Sequence, residues 1–576
     1  MSLPADLETR LRRLALDNAV HHDGEARAGP LVSRILAADP TLRGQASELN
    51  RLASTVASEV TKMSRAEQEQ ALAALGGSVL APVRATATAG ELPALLDGMD
   101  GGVVLRMAPF PSGALHIGNA RMIFINEAYR KRYNGKLFLV LDDTVGSEEK
   151  RVELEFFDLI RQDLDRCGVT PDATYYKSDR LSHHYEWAAR VIERGAAYVC
   201  VCPVDLLREN RKNGVACLER SQSVEKTRAD WERMLLGGFG PGEAVLRIKT
   251  DLQDPDPAFR DRVLLRISDF DHPRVGHRFR VWPMLEFSWA VDDIELGITH
   301  VIRGKDLVIE DRMQEFIWNI LGITGPHFLH WGILRVREAK VAKSKAYAEV
   351  KSGLYDGWAD PRSWSLQSLD RRGITVEAIR SFTLSFGLSL ADIEVPAETL
   401  YAQNRAIIDP TTARRLFVPD PRRIRVDGYP ADLGPVELPN HPERAELGTR
   451  RVATGPEFWL PAAELVRNAG SEIRLKDLLN IQLPPDLSSG SDGSVLATFT
   501  TKENKRLPRI QWVSAADAVA VDILEVDGTH RTGLGEAALR AASPGDRLQF
   551  ERVGFVRVEK DWQPGTTPLR VCYGHP

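Results

Sequence analysis

A loop with two prolines, two glycines and one histidine, "APFPSGALHIGN" (residues 108–119), joins a short apolar run to a helical pattern. The segment before the loop, "GGVVLRM", and the segment after the helical pattern, "GKLFLVLDDT", are both typical of buried strands. With the helix between them, they predict a β-α-β unit of a doubly wound parallel sheet. In such sheets, ligands bind at the carboxyl ends of the strands, where the next helix presents unpaired N–H groups to anions. The loop therefore predicts a site for a phosphate-bearing ligand.

Individual residues of the loop suit that chemistry. Gly113 and Gly118 would let a base or a phosphate approach the main chain closely, because glycine has no side chain. His116 could donate a hydrogen bond to a phosphoryl oxygen. On the loop alone, a purely structural histidine remains the competing interpretation.

A second stretch, "REAKVAKSKAYAEV" (residues 337–350), concentrates Lys340, Lys343, Ser344 and Lys345 in a loop before a helix. Clustered lysines can neutralise a polyphosphate and the charge that develops when pyrophosphate leaves. Taken alone, such a charge run would be an ordinary solvated surface. The sequence has no Gly-x-x-x-x-Gly-Lys-Ser/Thr motif, which argues against a P-loop nucleotidase.

The chain of 576 residues is too long for one hydrophobic core and is predicted to be a multi-domain α/β and all-β protein. A helical N-terminal region precedes a Rossmann-like core with an insertion, and short strands with Gly, Pro and Asp-Gly turns follow in the C-terminal part. The predicted domains are a helical N-terminal domain (1–98), the first half of the core (99–195), an insertion (196–280), the second half of the core (281–345), a helical connector (346–402) and a β-barrel region (403–576).

Bulk properties predict a soluble, cytoplasmic protein. We find no apolar run of about 18 residues for a membrane span and no signal-peptide pattern at the start. Five cysteines in this length are typical of a reducing compartment. The net charge of −5 neither indicates nor excludes nucleic-acid binding, which depends on local patches.

The two loops together resemble a family. "HIGN" and "KVAKS" resemble the His-Ile-Gly-His and Lys-Met-Ser-Lys-Ser signatures of class I aminoacyl-tRNA synthetases. The segments "RMAPFPSGALHIGNAR", "VWPMLEFSWAVDDIELGITHVIRGKDL" and "NRAIIDPTTARRLFVPDP" resemble the glutamyl/glutaminyl group of the archaeal/eukaryotic type, over nearly the whole chain. The resemblance implies ATP- and Mg²⁺-dependent activation of glutamate, transfer to the 3′ end of tRNA, and a monomeric enzyme without a membrane partner.

The resemblance also implies which residues hold ATP. His116, Asn119 and Lys343 are the implied catalytic residues, with Lys343 stabilising the departing pyrophosphate. Asn119 stands where a second histidine is usual, and its amide can still donate a hydrogen bond. The implied ATP-binding residues are Pro109, Gly113, His116, Gly118, Asn119, Lys340, Lys343 and Ser344.

The implied amino-acid pocket contains Arg106, which grips the side-chain end of the substrate, and Asp142, near the α-amino group. Arg303 matches a position that is arginine in glutamyl enzymes, and a guanidinium suits a carboxylate bidentately. Ala108 completes the set. Leu285 replaces a usual tyrosine and Trp289 a smaller residue, so a paralogue that activates another amino acid or uses another acceptor is the alternative. A non-enzymatic RNA-binding derivative is the third interpretation, which intact His116 and Lys343 oppose.

Two further features concern zinc and tRNA. Cys200, Cys202 and Cys217 occur in an insertion where some relatives bind Zn²⁺, but position 219 is glutamate where histidine is expected. The sequence therefore favours a remnant over a filled four-ligand site. In the tail, "DPRRIRV", "GTRR" and "TKENKRLPRIQW" supply basic residues with an aromatic nearby, which suits phosphate contacts and stacking on anticodon bases.

Overall fold

The computed structural model describes residues 7–21, 24–38, 45–75, 91–144, 152–339, 343–563 and 567–576. The chain forms two compact units, Met1–Thr88 and Ala89–Pro576. Residues 91–98, predicted to belong to the N-terminal domain, lie in the second unit. Leu95 is buried in its core, and the Leu95 N–H donates to the Tyr133 hydroxyl at 2.8 Å.

The first unit is helical. Its apolar residues recur every three or four positions, so Leu7, Leu11 and Ala15 share one face and are fully buried. These side chains form a core of their own with the facing helices. The helices are α1 (Leu7–His21), α2 (Ala28–Ala38), α3 (Ala46–Thr61) and α4 (Arg65–Ala74).

The second unit begins with the predicted β-α-β arrangement. Three parallel strands pair in the order β1-β2-β3, with Leu105 opposite Leu137 and Leu139 opposite Thr174. The predicted β-α-β fold is thereby confirmed for the first half of the core. The elements are β1 (Val104–Met107), α5 (Ala120–Arg132), β2 (Lys136–Leu141), α6 (Leu154–Arg166), β3 (Ala173–Tyr176) and α7 (Leu181–Glu193).

An antiparallel four-stranded sheet and two helices form the insertion. Its last strand pairs Leu265 with Pro283, so the sheet continues three residues past the predicted boundary at 280. The proline is tolerated because it ends an outer strand of the sheet. The elements are β4 (Ala197–Cys200), α8 (Val204–Asn213), α9 (Val224–Leu235), β5 (Val245–Ile248), β6 (Val263–Ile267) and β7 (Val281–Pro283).

The second half of the core returns to the first sheet. Thr299, just before β8 (His300–Gly304), exchanges hydrogen bonds of 2.9 and 3.0 Å with the Val104 backbone, so β8 starts beside the start of β1. The preceding helix is α10 (Leu285–Glu295). After β8 come α11 (Val308–Leu321), β9 (His327–Trp331), which pairs with β8 in parallel, and β10 (Leu334–Val336).

The connector is helical, with one short strand. Its last helix passes through the predicted boundary at 402 and ends at Ile408, because Pro410 follows and cannot continue a helix. The elements are α12 (Lys343–Lys351), α13 (Leu366–Arg371), α14 (Val376–Leu384), β11 (Ile393–Val395) and α15 (Glu398–Ile408).

The tail consists mainly of two seven-stranded sheets that pair as β12-β25-β26-β27-β23-β24-β13 and β21-β18-β19-β20-β14-β17-β22. Asp527 and Gly528, with φ +84° at the glycine, turn β23 into β24, as the Asp-Gly signal predicts. The elements are β12 (Ala413–Arg415), β13 (Phe417–Pro419), β14 (Pro421–Asp427), β15 (Val436–Pro439), β16 (Thr449–Val452), β17 (Glu457–Pro461), α16 (Ala462–Arg467), β18 (Glu472–Leu475), β19 (Asn480–Gln482), β20 (Val495–Thr501), β21 (Arg509–Ile510), β22 (Val513–Ser514), β23 (Val519–Leu524), β24 (His530–Gly535), β25 (Arg547–Phe550), β26 (Gly554–Lys560) and β27 (Leu569–His575).

Two hydrophobic cores lie in the part of the second unit that precedes the tail. One joins β1 and β2 to the connector helices and contains Leu105, Leu139 and Phe382. The other joins the insertion to α10 and α11 and contains Leu246 and Phe287. Among the described helices, none has the length and apolarity needed to cross a membrane.

Candidate active site

The loop after β1 is held in shape by its own histidine. His116 caps the turn that leads into α5: its Nδ1 accepts from the Gly118 N–H at 3.0 Å, and Asn119 Oδ1 accepts from the His116 N–H at 3.1 Å. Because Nδ1 is the acceptor, a neutral ring carries its hydrogen on Nε2, the position that can donate to a phosphoryl oxygen. A side chain at Gly118 would lie 2.9 Å from the ring, so the cap requires glycine there.

Gly113 has a structural reason that the sequence did not reveal. Its φ is +141°, and a Cβ there would lie 2.4 Å from the Trp358 ring of the connector. The Trp358 carbonyl is fixed by the hydroxyls of Ser363 and Ser365, at 2.9 and 2.6 Å. Approach of a ligand was the predicted reason for this glycine, whereas close packing of Trp358 accounts for it within the chain.

A cavity of about 470 Å³ opens beside His116 and Asn119. The rest of its wall comes from α5, the ends of β8 and β9, β10 and β11, including Trp331, Arg335 and Arg337. The chain leaves this wall at Ala339 for the lysine loop. Lys340 lies outside the described residues, as do the side chains of Lys343 and Ser344 at the start of α12.

Three of the residues predicted to bind the amino-acid substrate lie together: Arg106 and Arg303 contact the indole ring of Trp289. Trp289 of α10 is 4% exposed, and three cationic groups lie over its ring. The guanidinium carbons of Arg106 and Arg303 are 4.9 and 4.6 Å from the ring centroid, and Lys177 Nζ is 4.9 Å away. Cation–π attraction contributes most where water is excluded, as it is here.

Buried carboxylates balance the two arginines. Arg106 forms two hydrogen bonds with Asp293, and the one between Nη2 and Oδ2 is 2.9 Å long. Arg303 Nε donates to Asp311 at 2.8 Å, and Arg303 Nη2 donates to Gln314 at 2.7 Å. Burial and the nearby charge of Arg106 lower the pKa of Arg303, against the opposing effect of Asp311. Thus both predicted arginines are already ion-paired.

Two donors in this network have no acceptor among the described residues. These are Arg303 Nη1 and Trp289 Nε1, and both atoms are buried. The other guanidinium nitrogens of Arg303 are occupied by Asp311 and Gln314. Buried polar groups are normally paired, so two orphaned donors in contacting side chains mark a place for an acceptor.

Asp142 has a partner that sequence reasoning missed. Lys177, fully buried, places Nζ 3.2 Å from Asp142 Oδ1 and donates to Ser288 Oγ at 2.7 Å. Thr144 also donates to Asp142 Oδ1, at 3.0 Å. Burial lowers the pKa of Lys177, while Asp142 opposes that shift. Lys177 lies directly after β3, at the carboxyl end of a parallel strand, and this position is the sequence signal that could have identified it as a site residue.

The remaining predicted residues lie around this network. Leu285 opens α10, is half-buried and offers only its carbonyl, which accepts from Ser288 at 2.9 Å. Ala108 directly follows β1 and is half-buried. The carbonyl of Pro109 accepts from the Asp142 N–H at 3.3 Å, which ties the loop after β1 to the loop after β2.

Glu286, next to Leu285, is a buried carboxyl beside the pocket. Arg262 of the insertion bridges it to Glu310, at 2.7 and 2.9 Å. Burial raises the pKa of Glu286 to about 7, with the Arg262 charge opposing and Glu310 reinforcing the shift.

The cysteine cluster contains a fourth donor. The ligand atoms of Cys200, Cys202, Cys217 and Glu219 all lie within 4.8 Å of one another. Cys200 and Cys217 place their Sγ atoms 3.7 Å apart, and tetrahedral zinc with bonds of about 2.3 Å separates two sulfurs by about 3.8 Å. The sequence alone offers no fourth ligand of the expected type, because position 219 is glutamate and not histidine. The Glu219 carboxylate stands there instead, 3.8 Å from Cys202 Sγ, so the residues fit the ion.

The structure corrects part of the predicted RNA surface. Trp512, the aromatic in "PRIQW", is fully buried and donates to the Lys476 carbonyl at 2.8 Å, so its ring is not available for stacking on bases. Arg450 of "GTRR" is also buried and pairs with Glu536. Trp512 lies between β21 and β22, and Arg450 lies on β16, whose alternating burial turns this side chain inward. The exposed basic residues of the three segments are Arg425, Arg451, Lys502, Lys505, Arg506 and Arg509.

Comparison with known families identifies the class. Residues 102–410 match the family described as tRNA synthetases class I (E and Q), catalytic domain. Residues 412–500 and 509–559 match two anticodon-binding domains of the same group. The chain belongs to the class I tRNA synthetases of the E and Q family.

Individual relatives narrow the class further. A glutamate–tRNA ligase of Methanobrevibacter smithii is 37% identical to this chain, over 96% of it and 97% of the relative. One from Pyrococcus horikoshii is 37% identical over 96% and 98%. One from Methanocaldococcus jannaschii is 36% identical over 99% and 100%.

Proposed function

We propose that the protein is a glutamate–tRNA ligase, which activates glutamate with ATP and transfers it to the 3′ end of tRNA. The observation that carries this proposal is the buried Arg303 Nη1, which has no acceptor among the described residues and lies beside Trp289. A guanidinium donor without an acceptor suits the side-chain carboxylate of glutamate. The side-chain amide of glutamine carries no negative charge, so its oxygen would accept more weakly from the same cation.

The chain's residues divide the work of adenylate formation. The two contacts that Asp142 makes with Thr144 and Lys177 both use Oδ1, so Oδ2 can accept from the α-ammonium group of glutamate. An α-carboxylate oxygen attacks the α-phosphorus of ATP, and pyrophosphate leaves as the new P–O bond forms. Catalysis here consists of positioning and charge stabilisation, without a covalent enzyme intermediate.

The nucleotide side supplies the charge stabilisation. His116 Nε2 and the Asn119 amide donate to phosphoryl oxygens from the wall of the cavity, and Lys343 neutralises the departing pyrophosphate. Mg²⁺ bound with ATP would supply further positive charge against its phosphates. In the second step, a hydroxyl of the terminal tRNA ribose attacks the acyl carbon, and AMP leaves.

We further propose that Cys200, Cys202, Cys217 and Glu219 hold a structural Zn²⁺. Their donor atoms have the spacing of a tetrahedral site, and Arg247 Nη1, 3.0 Å from Cys217 Sγ, offsets the negative charge of this ligand set. Elemental analysis of the purified protein should give about one zinc per chain. Glu219→Ala should lose zinc to a weaker chelator than the wild type, and a zinc-free wild type contradicts the proposal.

Transfer RNA charging tests the main proposal. With radiolabelled amino acids, the protein should acylate tRNA with glutamate and not with glutamine. Arg303→Cys should relax that preference, because the unpaired donor is lost. Arg312→Cys is the matched control, since Arg312 is half-exposed and pairs with Asp254 outside the pocket. Unchanged selectivity in Arg303→Cys would remove Arg303 from the pocket.

A paralogue that uses another amino acid is the second candidate, and one observation favours it. Trp289 occupies the space between Arg106 and Arg303, at a position where the family resemblance predicts a smaller residue. Charging tRNA with a panel of amino acids decides between the two candidates. Acylation with an amino acid other than glutamate, and none with glutamate, would establish the paralogue.

A further inference from the structure

Trp289 carries an indole N–H that the fold leaves without an acceptor. The ring is 4% exposed, and its Nε1 has no hydrogen-bond partner among the residues that the structure describes. Tryptophan N–H groups that are buried usually find an acceptor. Arg303 Nη1 is also buried without a hydrogen-bond partner among the described residues, and its guanidinium lies over this indole.

The position of Trp289 on α10 makes it a substitute for a missing group. Leu285, where a tyrosine hydroxyl was expected, lies four residues earlier, so both side chains project from one side of the helix. Leu285 has no polar side-chain atom. Trp289 therefore brings a hydrogen-bond donor to a helix face whose other expected donor is absent.

The ring is held firmly. Arg106, Lys177 and Arg303 lie over it at 4.6 to 4.9 Å, and each is fixed by a buried partner: Asp293, Asp142 and Asp311 respectively. A donor fixed in this way is preorganised, so binding an acceptor costs little additional order.

We propose that Trp289 is a specificity-determining residue, whose Nε1–H donates with Arg303 Nη1 to the side-chain carboxylate of the amino-acid substrate. Both orphaned groups are donors only, and a carboxylate offers acceptors only. A side-chain amide offers one uncharged acceptor oxygen and would therefore pair with these donors more weakly than a carboxylate, and an apolar side chain would leave both unpaired. This inference rests on the proposed function and names the atom that completes its selectivity.

Trp289→Phe tests the donor while keeping an aromatic ring under the cations. In glutamate-dependent pyrophosphate exchange with tRNA present, KM for glutamate should rise about 10- to 100-fold. The kcat and the KM for ATP should stay within about threefold, because the nucleotide cavity lies elsewhere. The ratio of glutamate to glutamine activation should fall by about tenfold or more.

Trp282→Phe is the matched control. Trp282 is fully buried, its Nε1 is likewise unpaired among the described residues, and it packs with Leu181 in a separate cluster. Its substitution should leave the KM for glutamate within twofold. A Trp289→Phe enzyme with the wild-type KM and selectivity would overturn the inference while leaving the proposed function standing. A wild type without glutamate-dependent exchange would instead refute the proposed function.

A measurement on the wild type covers the case in which Trp289→Phe does not fold. The eleven tryptophans give eleven indole N–H resonances in a ¹⁵N correlation spectrum. Saturating glutamate, with tRNA present, should move one of them downfield, as a new hydrogen bond requires. If no indole resonance moves, the inference is wrong.

Discussion

The nucleotide side and the amino-acid side of the candidate site are built differently. The nucleotide side is a continuous loop, "HIGN", that shapes itself through the His116 cap and faces a cavity of about 470 Å³. The amino-acid side is a buried charge network whose members come from β1, α10, β8, α11 and the ends of β2 and β3. A local sequence motif therefore predicts the nucleotide side, whereas the amino-acid side forms only when the fold brings distant residues together. Variants of the network should therefore affect stability and KM, and variants of the phosphate-binding residues should affect kcat.

The largest expected effect lies in the network. Lys177→Met would leave the buried Asp142 carboxylate without its cation, and removing one partner of a buried ion pair costs about 3–5 kcal/mol. Urea unfolding of the catalytic region, followed by tryptophan fluorescence, should show that loss. Lys305→Met is the control, because Lys305 pairs with Asp392 at an exposed site and should cost less than about 1 kcal/mol. Equal losses in the two variants would mean that the network contributes no more than a surface pair.

On the nucleotide side, Lys343→Ala should slow adenylate formation about 10²- to 10³-fold, the range for losing one transition-state charge contact. Its unfolding free energy and its affinity for tRNA should remain near the wild-type values. Single-turnover kinetics and tRNA binding measure the two effects separately. An equal loss in rate and in tRNA affinity would deny Lys343 its role and would erase the contrast between the two sides.

The smallest of these effects concerns pH. Burial raises the pKa of Glu286 from 4.5 to about 7, so between these values the folded protein binds more protons than the unfolded chain. Stability should therefore fall as the pH rises from about 4.5 through about 7, by up to about 3 kcal/mol. Glu286→Gln should flatten this dependence in urea unfolding measured across that range. A profile identical to that of the wild type would show that Glu286 titrates normally.

Much of the architecture could be predicted from the sequence, since periodicity and turn residues act locally. The β-α-β unit and the strand-rich tail follow from such patterns, and paired motifs 200 residues apart identified the family. The domain limits at 98 and 402 shifted because they depend on tertiary packing, as with Leu95 against Tyr133, and on a helix that continues until Pro410.

The charge network could be predicted only in part. Arg106 and Arg303 were identified because they match family positions, and the structure brings both to Trp289. The contacts of Lys177 with Ser288 and of Gly113 with Trp358 join residues 111 or more positions apart. No local pattern encodes such pairs. For the same reason, the sequence predicts a surface position for Trp512, although the fold buries it between β21 and β22.

Amino-acid-dependent pyrophosphate exchange, measured with glutamate, glutamine and a panel of other amino acids, with and without tRNA, tests the central claim most directly. If the buried donors around Trp289 select a carboxylate, glutamate should drive exchange when tRNA is present, with at least about a 10³-fold preference over glutamine. Exchange driven by another amino acid, or no exchange with any, would contradict the account.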